Sequence, residues 1–265
     1  MAWIQVRFEL ATPLLAPQRD MAWTLDRWLA GAAALERFPL MTRRHPQTPG
    51  WVPWTELDIP LVYQAALGVF ATTQAHFPLG GRLQYDYRTK KAIMPVTPNV
   101  ASGIFKASHF RQPLWNVPAV EFVADVTDPD RLDTLLDILF ANGVGGDRNR
   151  GYGTISDVNT TAVSPESHPS VLWDAEGYPT RPVPWARVPH AYQETCREGL
   201  NHGTLQLIHQ RVVPPAWSAQ SQALCIAPRI RWPEDFISPD PTDDASSQPI
   251  VEDLGNLENL EEVPS

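Results

Sequence analysis

Residues 128–163 read DPDRLDTLLDILFANGVGGDRNRGYGTISDVNTTAV, and they present in order a helix, a glycine-rich loop and a strand. Asp128 supplies a carboxylate for a helix N-cap, and Pro129 a fixed φ at the first helical position. Leu132, Leu135, Leu136, Leu139 and Phe140 repeat at helical spacing, and Gly143 stands where a helix-ending glycine belongs. Two triplets, Gly143-Val144-Gly145 and Gly151-Tyr152-Gly153, then flank a five-residue insert that begins at Gly146 and carries Arg148, Asn149 and Arg150. Glycine lets a backbone approach another molecule closely, and loop amides beside arginines suit a polyanion such as a nucleic-acid backbone. From Gly153 to Val163, Ile155 and Val158 among threonines predict the next strand.

The two familiar phosphate loops do not fit. A dinucleotide fingerprint follows a strand and opens a helix, whereas this loop follows a helix, and Arg148 stands where the last glycine would be. A P-loop needs Lys-Ser/Thr after its second glycine, where this chain has Tyr152-Gly153. The remaining alternative is a turn that binds nothing, for which eleven residues with two arginines are more than is required.

Working outward, Val120, Phe122, Ala124 and Val126 alternate as a strand just before the helix. The chain also opens on alternation, with Ile4, Val6, Phe8 and Leu10 between Gln5, Arg7 and Glu9. Thr24 is placed to cap a helix through Leu25, Trp28, Leu29, Ala32, Leu35 and Phe38, which Pro39 ends. The proline-rich residues 39–60 predict an extended loop with a basic cluster at Arg43, Arg44 and His45, and Leu61 to Thr73 predicts a strand. The sum is strand-helix-strand, then strand-helix-loop-strand. That is two split βαβ units, an α+β, ferredoxin-like (RRM-like) antiparallel sheet with two helices on one face.

Between the halves lies a basic stretch. Leu83, Tyr85 and Tyr87 alternate as a strand, and from Tyr87 to Val120 there is no acidic residue. Arg88, Lys90, Lys91, Lys106 and Arg111 give this stretch a charge of +5, interleaved with Tyr87, Phe105, His109, Phe110 and Trp115. Cations that track phosphates beside rings that stack on bases form the usual surface for single-stranded nucleic acid. The alternative is a solvated hairpin whose rings face the core.

The net charge of −9 argues at first against such a partner, but it is unevenly distributed. Glu234 to Ser265 hold ten acids and no Lys or Arg; removing them from 30 leaves 20 acids against 21 bases, about +1 for residues 1–233. The tail is the acidic part, and its composition predicts disorder in the free protein. Two cysteines, Cys196 and Cys225, are too few for a disulfide scaffold, no signal peptide or membrane span is recognisable, and a cytoplasmic protein is expected. Most of the ten tryptophans are expected to anchor cores or interfaces. In residues 164–232, Arg181-Pro182-Val183-Pro184-Trp185 predicts an ordered extended segment, and Gln193 to Ile208 a short helix broken by Gly199 or Gly203.

A ferredoxin-like half ending in Gly-apolar-Gly, five residues and Gly-apolar-Gly resembles the RAMP superfamily of CRISPR RNA-binding proteins. More narrowly, TLDRWLAGAA at 24–33, RTKKAIMPV at 88–96, SGIFKA at 102–107 and RPVPW at 181–185 resemble the subunits of type IV CRISPR effector complexes that bind the 5′ handle of the crRNA. The resemblance implies a RAMP domain over 1–190 with a thumb hairpin at about 82–118, a C-terminal extension over 191–233 and an acidic tail over 234–265. It implies a non-catalytic, cytoplasmic prokaryotic protein that caps the crRNA beside repeated RAMP backbone subunits and a large or nucleic-acid-sensing subunit. Target DNA would be met indirectly, with no membrane and no cofactor. By the same resemblance Gly143, Gly145, Gly146, Gly151 and Gly153 shape the loop, Arg148, Asn149, Arg150 and Tyr152 meet the RNA, and Tyr85, Tyr87, Arg88, Lys90, Lys91, Lys106, His109 and Arg111 line the thumb.

Two other functions are compatible with these residues. Some RAMP relatives cleave precursor crRNA without metal, and His109 is the histidine placed for such proton transfer. The other is a protein-interaction module that never touches RNA. His190, Cys196, His202 and His209 match no zinc spacing, so no metal site is expected.

Overall fold

Alternation at the start of the chain becomes β1, Ala2–Leu10, the middle strand of the main sheet. In the computed structural model, which describes residues 2–15, 23–37, 54–90, 108–146, 148–164, 170–212 and 222–228, β1 is flanked by two antiparallel partners. These are β7, Ala119–Val126, and β8, Ile155–Ala162. The register sets Val6 opposite Phe122 and Phe8 opposite Val120, so one face of the sheet is a continuous apolar surface. Helices α1, Leu25–Arg37, and α2, Pro129–Asn142, cover that face. Trp28 of α1 sets its ring edge-to-face at 5.1 Å from Phe8 and 5.0 Å from Phe122. Full burial of such side chains contributes about 1.5–3 kcal/mol each. The first core is therefore the device that fixes where α2 ends.

α2 forms as its residues dictate. The Asp128 carboxylate accepts from the Arg131 amide at 3.0 Å, Pro129 opens the helix, and the Gly143 amide donates to the Leu139 carbonyl at 2.7 Å. Phe140 departs from expectation: it is half-exposed, because the buried stripe runs through Leu132, Leu135, Leu136 and Leu139 and the next position turns off it. In α1 the capping is also different. The Thr24 carbonyl accepts from the Arg27 amide at 3.2 Å, while the buried hydroxyl makes no hydrogen bond among the described residues, Thr24 being held in a β-bridge with Gln74.

The segment 61–76 is not one strand. It makes a minimal hairpin of β3, Tyr63–Gln64, and β4, Val69–Phe70, and touches β7 through isolated bridges, Leu61 to Val126, Thr72 to Ala124 and His76 to Glu121. Backbone groups run irregularly along the far edge of β7, with the Thr73 amide on the Val123 carbonyl and the His76 amide on that of Glu121. Within the expected 39–60 loop, Trp54–Glu56 is a 3-10 turn, and 38–53 lie outside the described residues.

A second core follows. Strands β9, Val183–Pro184, β10, Leu205–Arg211, and β11, Gln222–Pro228, lie in the order β10-β11-β9, with α3, His190–Asn201, against them. Leu67, Val69 and Ala71 pack there with Trp173, Val183, Cys196, Leu205 and Ile226. The expected helix from Gln193 to Ile208 is corrected at both ends: α3 starts at His190 and stops at Asn201, and Ile208 is in β10. Gly199 does not break it. A Cβ there would stand 2.8 Å from Leu205 and 2.9 Å from Tyr178, so the glycine serves close packing. Trp28 and Trp173 are buried, the latter stacked on Tyr192 at 4.3 Å, as core anchors. With three α-helices and several small antiparallel sheets among the described residues, the class is α+β. No described helix is long and apolar enough to cross a membrane.

Candidate nucleic-acid interface

The hairpin and the glycine loop meet at Leu14 and Leu15. Strands β5, Arg82–Lys90, and β6, Ser108–Asn116, pair antiparallel over their whole length, and β2, Leu14–Leu15, joins β6 at its base. Because β2 follows β1 by three residues, the base of the hairpin is tied directly to the main sheet. The same two leucines support the loop. A Cβ at Gly146 would stand 2.8 Å from Leu15 Cδ2, and one at Gly145 would be 3.5 Å from Leu14 Cδ2.

Inside the loop the glycines pack on each other. Gly143 has φ 75° and Gly153 φ 65°, and the Val144 amide donates to the Gly153 carbonyl at 2.8 Å. A Cβ on Gly153 would fall on the Val144 carbonyl oxygen, and one on Gly143 would stand 2.8 Å from the Gly153 oxygen. The amide of Gly153 donates to Pro13 O at 2.9 Å, and that of Thr154 to Thr12 Oγ1 at 2.8 Å. The amides of Gly143, Val144, Gly151 and Gly153 are thus used within the protein. They close the loop rather than face a ligand. Gly151, with φ 83°, is different: no atom of the described residues lies within 4 Å of where its Cβ would be. Such clearance permits close approach by another molecule.

Residues 148–150 form a 3-10 turn across the tip. Arg148 is half-buried, and its Nη1 donates to the Gly143 carbonyl at 3.3 Å, at the C-terminal end of α2 where a cation is favoured. Burial pushes the pKa of its guanidinium down from the ordinary arginine range, yet a guanidinium stays charged at neutral pH. Arg150 is exposed. The loop therefore presents one half-buried and one exposed cation around Gly151.

Tyr152 joins this loop to the hairpin. Its hydroxyl donates to Asp86 Oδ2 at 2.7 Å, and Asp86 lies in β5 opposite Gln112 of β6. Two segments 66 residues apart are brought together by that bond. Of the residues singled out in the sequence, Tyr85 is half-buried in β5 beside Asp86, and the backbone of the hairpin pairs Tyr87 with Arg111 and Thr89 with His109. The side chains of Tyr87, Arg88, Lys90, His109, Arg111 and Asn149 lie outside the described part, as do Lys91 and Lys106 entirely. Sequence reading missed Asp86, which stands one residue before the acid-free stretch, and Thr12, whose hydroxyl closes the loop from β1's side. Neither has a local signal, because each acts on a partner far along the chain.

The face of the main sheet opposite the helices, half-buried along β1 and β7, carries more acids than bases among the described residues. Arg7 is held by Glu9 Oε1 at 2.7 Å and Glu121 Oε1 at 2.8 Å, and Asp157 stands opposite Glu9 in the register. Asp125, opposite Trp3, has its carboxyl pushed up by burial. Among the described residues no three His, Cys, Asp or Glu side chains gather as a metal-ligand set.

No protein-family model matches the chain, and no curated protein does. Among solved structures, a chain titled as a CRISPR RNA-guided surveillance complex is similar at 14% sequence identity and a TM-score of 0.33, over 76% of this chain and 83% of that one. A likeness this loose identifies neither the fold nor the activity.

Proposed function

We propose that this protein is a non-catalytic RNA-binding subunit of a CRISPR ribonucleoprotein, a ferredoxin-like RAMP protein that holds the 5′ handle of a crRNA and caps the complex. The observation that carries the reading is the Tyr152–Asp86 bond, which joins the arginine-bearing glycine loop to the middle of β5 in the basic hairpin. Single-stranded RNA needs such continuity, because phosphates recur along the strand and each cation acts on its neighbours only over about a Debye length, about 8 Å at physiological salt. The β7-β1-β8 order, with α1 and α2 on one face, supports the ferredoxin-like plan, with the irregular 61–76 edge standing for the fourth strand. The acidic character of the sheet face opposite the helices supports binding at the loop and hairpin rather than on the sheet, where RNA-recognition domains stack bases.

In this reading Arg148, Arg150 and the backbone at Gly151 take handle phosphates. The hairpin cations Arg88, Lys90, Lys91, Lys106 and Arg111 extend the track, with Tyr85, Tyr87 and His109 beside the bases. Asn149 adds a hydrogen bond, and base pairing of the guide supplies specificity toward DNA. The partners are crRNA, repeated RAMP subunits and a large subunit, in a prokaryotic cytoplasm.

The test is RNA affinity of the Arg148→Ala/Arg150→Ala variant. Weaker binding supports the reading, with a salt slope flatter by about 0.7 for each single-strand phosphate the variant leaves unneutralised. Unchanged affinity and slope remove the loop from it. Incubation with repeat RNA in EDTA is the second arm, and a specific cut abolished by His109→Ala would make the protein a nuclease instead.

A further inference from the structure

The hydrogen bond at 2.7 Å from Tyr152 to Asp86 poses a physical question. A carboxylate at the edge of a +5 stretch repels phosphate, so it does not itself take RNA. The geometry points to another use: we infer that Tyr152 and Asp86 are a positioning pair that orients the β5–β6 hairpin on the glycine loop, so that both load RNA as one surface. The inference rests on the RNA-binding reading and gives that site two residues that act through others.

Both ends of the pair are well fixed. Tyr152 lies between Gly151 and Gly153, and Gly153 is seated on the Val144 carbonyl and on Pro13, which leaves the ring little freedom to move with the hairpin. Asp86 sits in the middle of β5, held by the pairing of residues 82–90 with 108–116. Below it, β2 fastens β6 through Leu14 opposite Trp115 and Leu15 opposite Leu114. Those pairings hold the hairpin at its root. The Tyr152 bond holds it at a second place along its length, and two points fix a direction where one leaves a pivot. Arg88 and Lys90 follow two and four residues further along β5, so a change in that direction is amplified where the cations stand.

Three variants separate position from charge. Tyr152→Phe removes the donor and keeps the ring. Asp86→Ala removes the acceptor, whereas Asp86→Asn removes the charge but keeps an oxygen that accepts from the hydroxyl. The readouts on the full chain are affinity for a labelled single-stranded RNA and hydrogen exchange of the β5 and β6 amides without RNA. Tyr152→Phe and Asp86→Ala should each weaken RNA binding by about fivefold, the scale of one hydrogen bond, and should not add in the double variant. Both should speed exchange in the hairpin, and Asp86→Asn should stay near the parent in exchange and bind RNA at least as well. Tighter binding by Asp86→Ala, or hairpin exchange unchanged in both disruptive variants, overturns the inference. If exchange responds but no variant, Arg148→Ala/Arg150→Ala included, changes RNA affinity, the RNA reading fails, and the pair stands as a structural latch with no role in positioning RNA.

Discussion

The Arg181 guanidinium donates to Asp26 Oδ1 at 3.1 Å and to the Phe70 carbonyl at 2.7 Å, with Arg181 1% and Asp26 0% exposed. One buried cation thereby ties the first turn of α1, in the first core, to the strand-bearing segment of the second. The two sequence stretches TLDRWLAGAA and RPVPW, 155 residues apart at these positions, meet through this pair. Arg181 Nε has no hydrogen-bond partner among the described residues. The junction is therefore held by charge and shape with one donor unsatisfied.

Removing one member should be severe. Asp26→Ala or Arg181→Ala leaves the other charge buried and uncompensated, at a cost of about 3–5 kcal/mol. Replacing both with apolar residues of similar volume, Asp26→Leu with Arg181→Met, should cost much less than the sum. Urea unfolding of the four proteins checks this. Additive single and double losses would show that the pair does not act as a unit.

The loop glycines should divide by surroundings. Gly153→Ala puts a methyl group on the Val144 carbonyl at positive φ, so the loop cannot keep its shape and stability should fall by more than about 2 kcal/mol. Gly151→Ala meets no atom of the described residues and should lose only the conformational cost, about 1 kcal/mol. Thermal melts of the two variants distinguish them, and equal losses would mean that the packing of Gly143 on Gly153 does not hold the loop together.

Alkaline pH should destabilise the fold through its thiols. Burial pushes Cys196 and Cys225 from 9.0 up to about 11 in the folded state. The folded state thus favours the neutral thiols, so their contribution is fully present below the unfolded value of 9.0 and is lost as pH rises toward 11. The melting temperature should decline over that window, and less steeply in a Cys196→Ala/Cys225→Ala variant. An identical decline in the variant would assign the effect elsewhere.

The part of the fold legible in the sequence is the part with local causes. Alternation marks β1 and β7, the β-branched residues Ile155 and Val158 among threonines mark β8, and the Asp128-Pro129 cap with the Gly143 stop bounds α2, because the side chains concerned act within a few residues of themselves. Residues 61–73 have the pattern of one strand because Val62, Val69 and Phe70 carry strand-forming side chains; their true path is set by the edge of β7, which no local pattern encodes. Gly199 has the look of a helix breaker because Leu205 and Tyr178, which require its small size, arrive from elsewhere. At the candidate site the glycines and arginines have local signals, but Asp86 and Thr12 there, like the Asp26–Arg181 pair at the core junction, work over 66, 142 and 155 residues. Long-range polar pairs have no period.

The most direct test of RNA binding across the loop and hairpin is ultraviolet crosslinking of the protein to the RNA that copurifies with it, with the crosslinked peptides sequenced. Crosslinks within residues 143–153 and 85–111, on the 5′ handle of a crRNA, are the expected result. Crosslinks confined to the face of the β7-β1-β8 sheet opposite the helices, or RNA held only by neighbouring subunits, would contradict it.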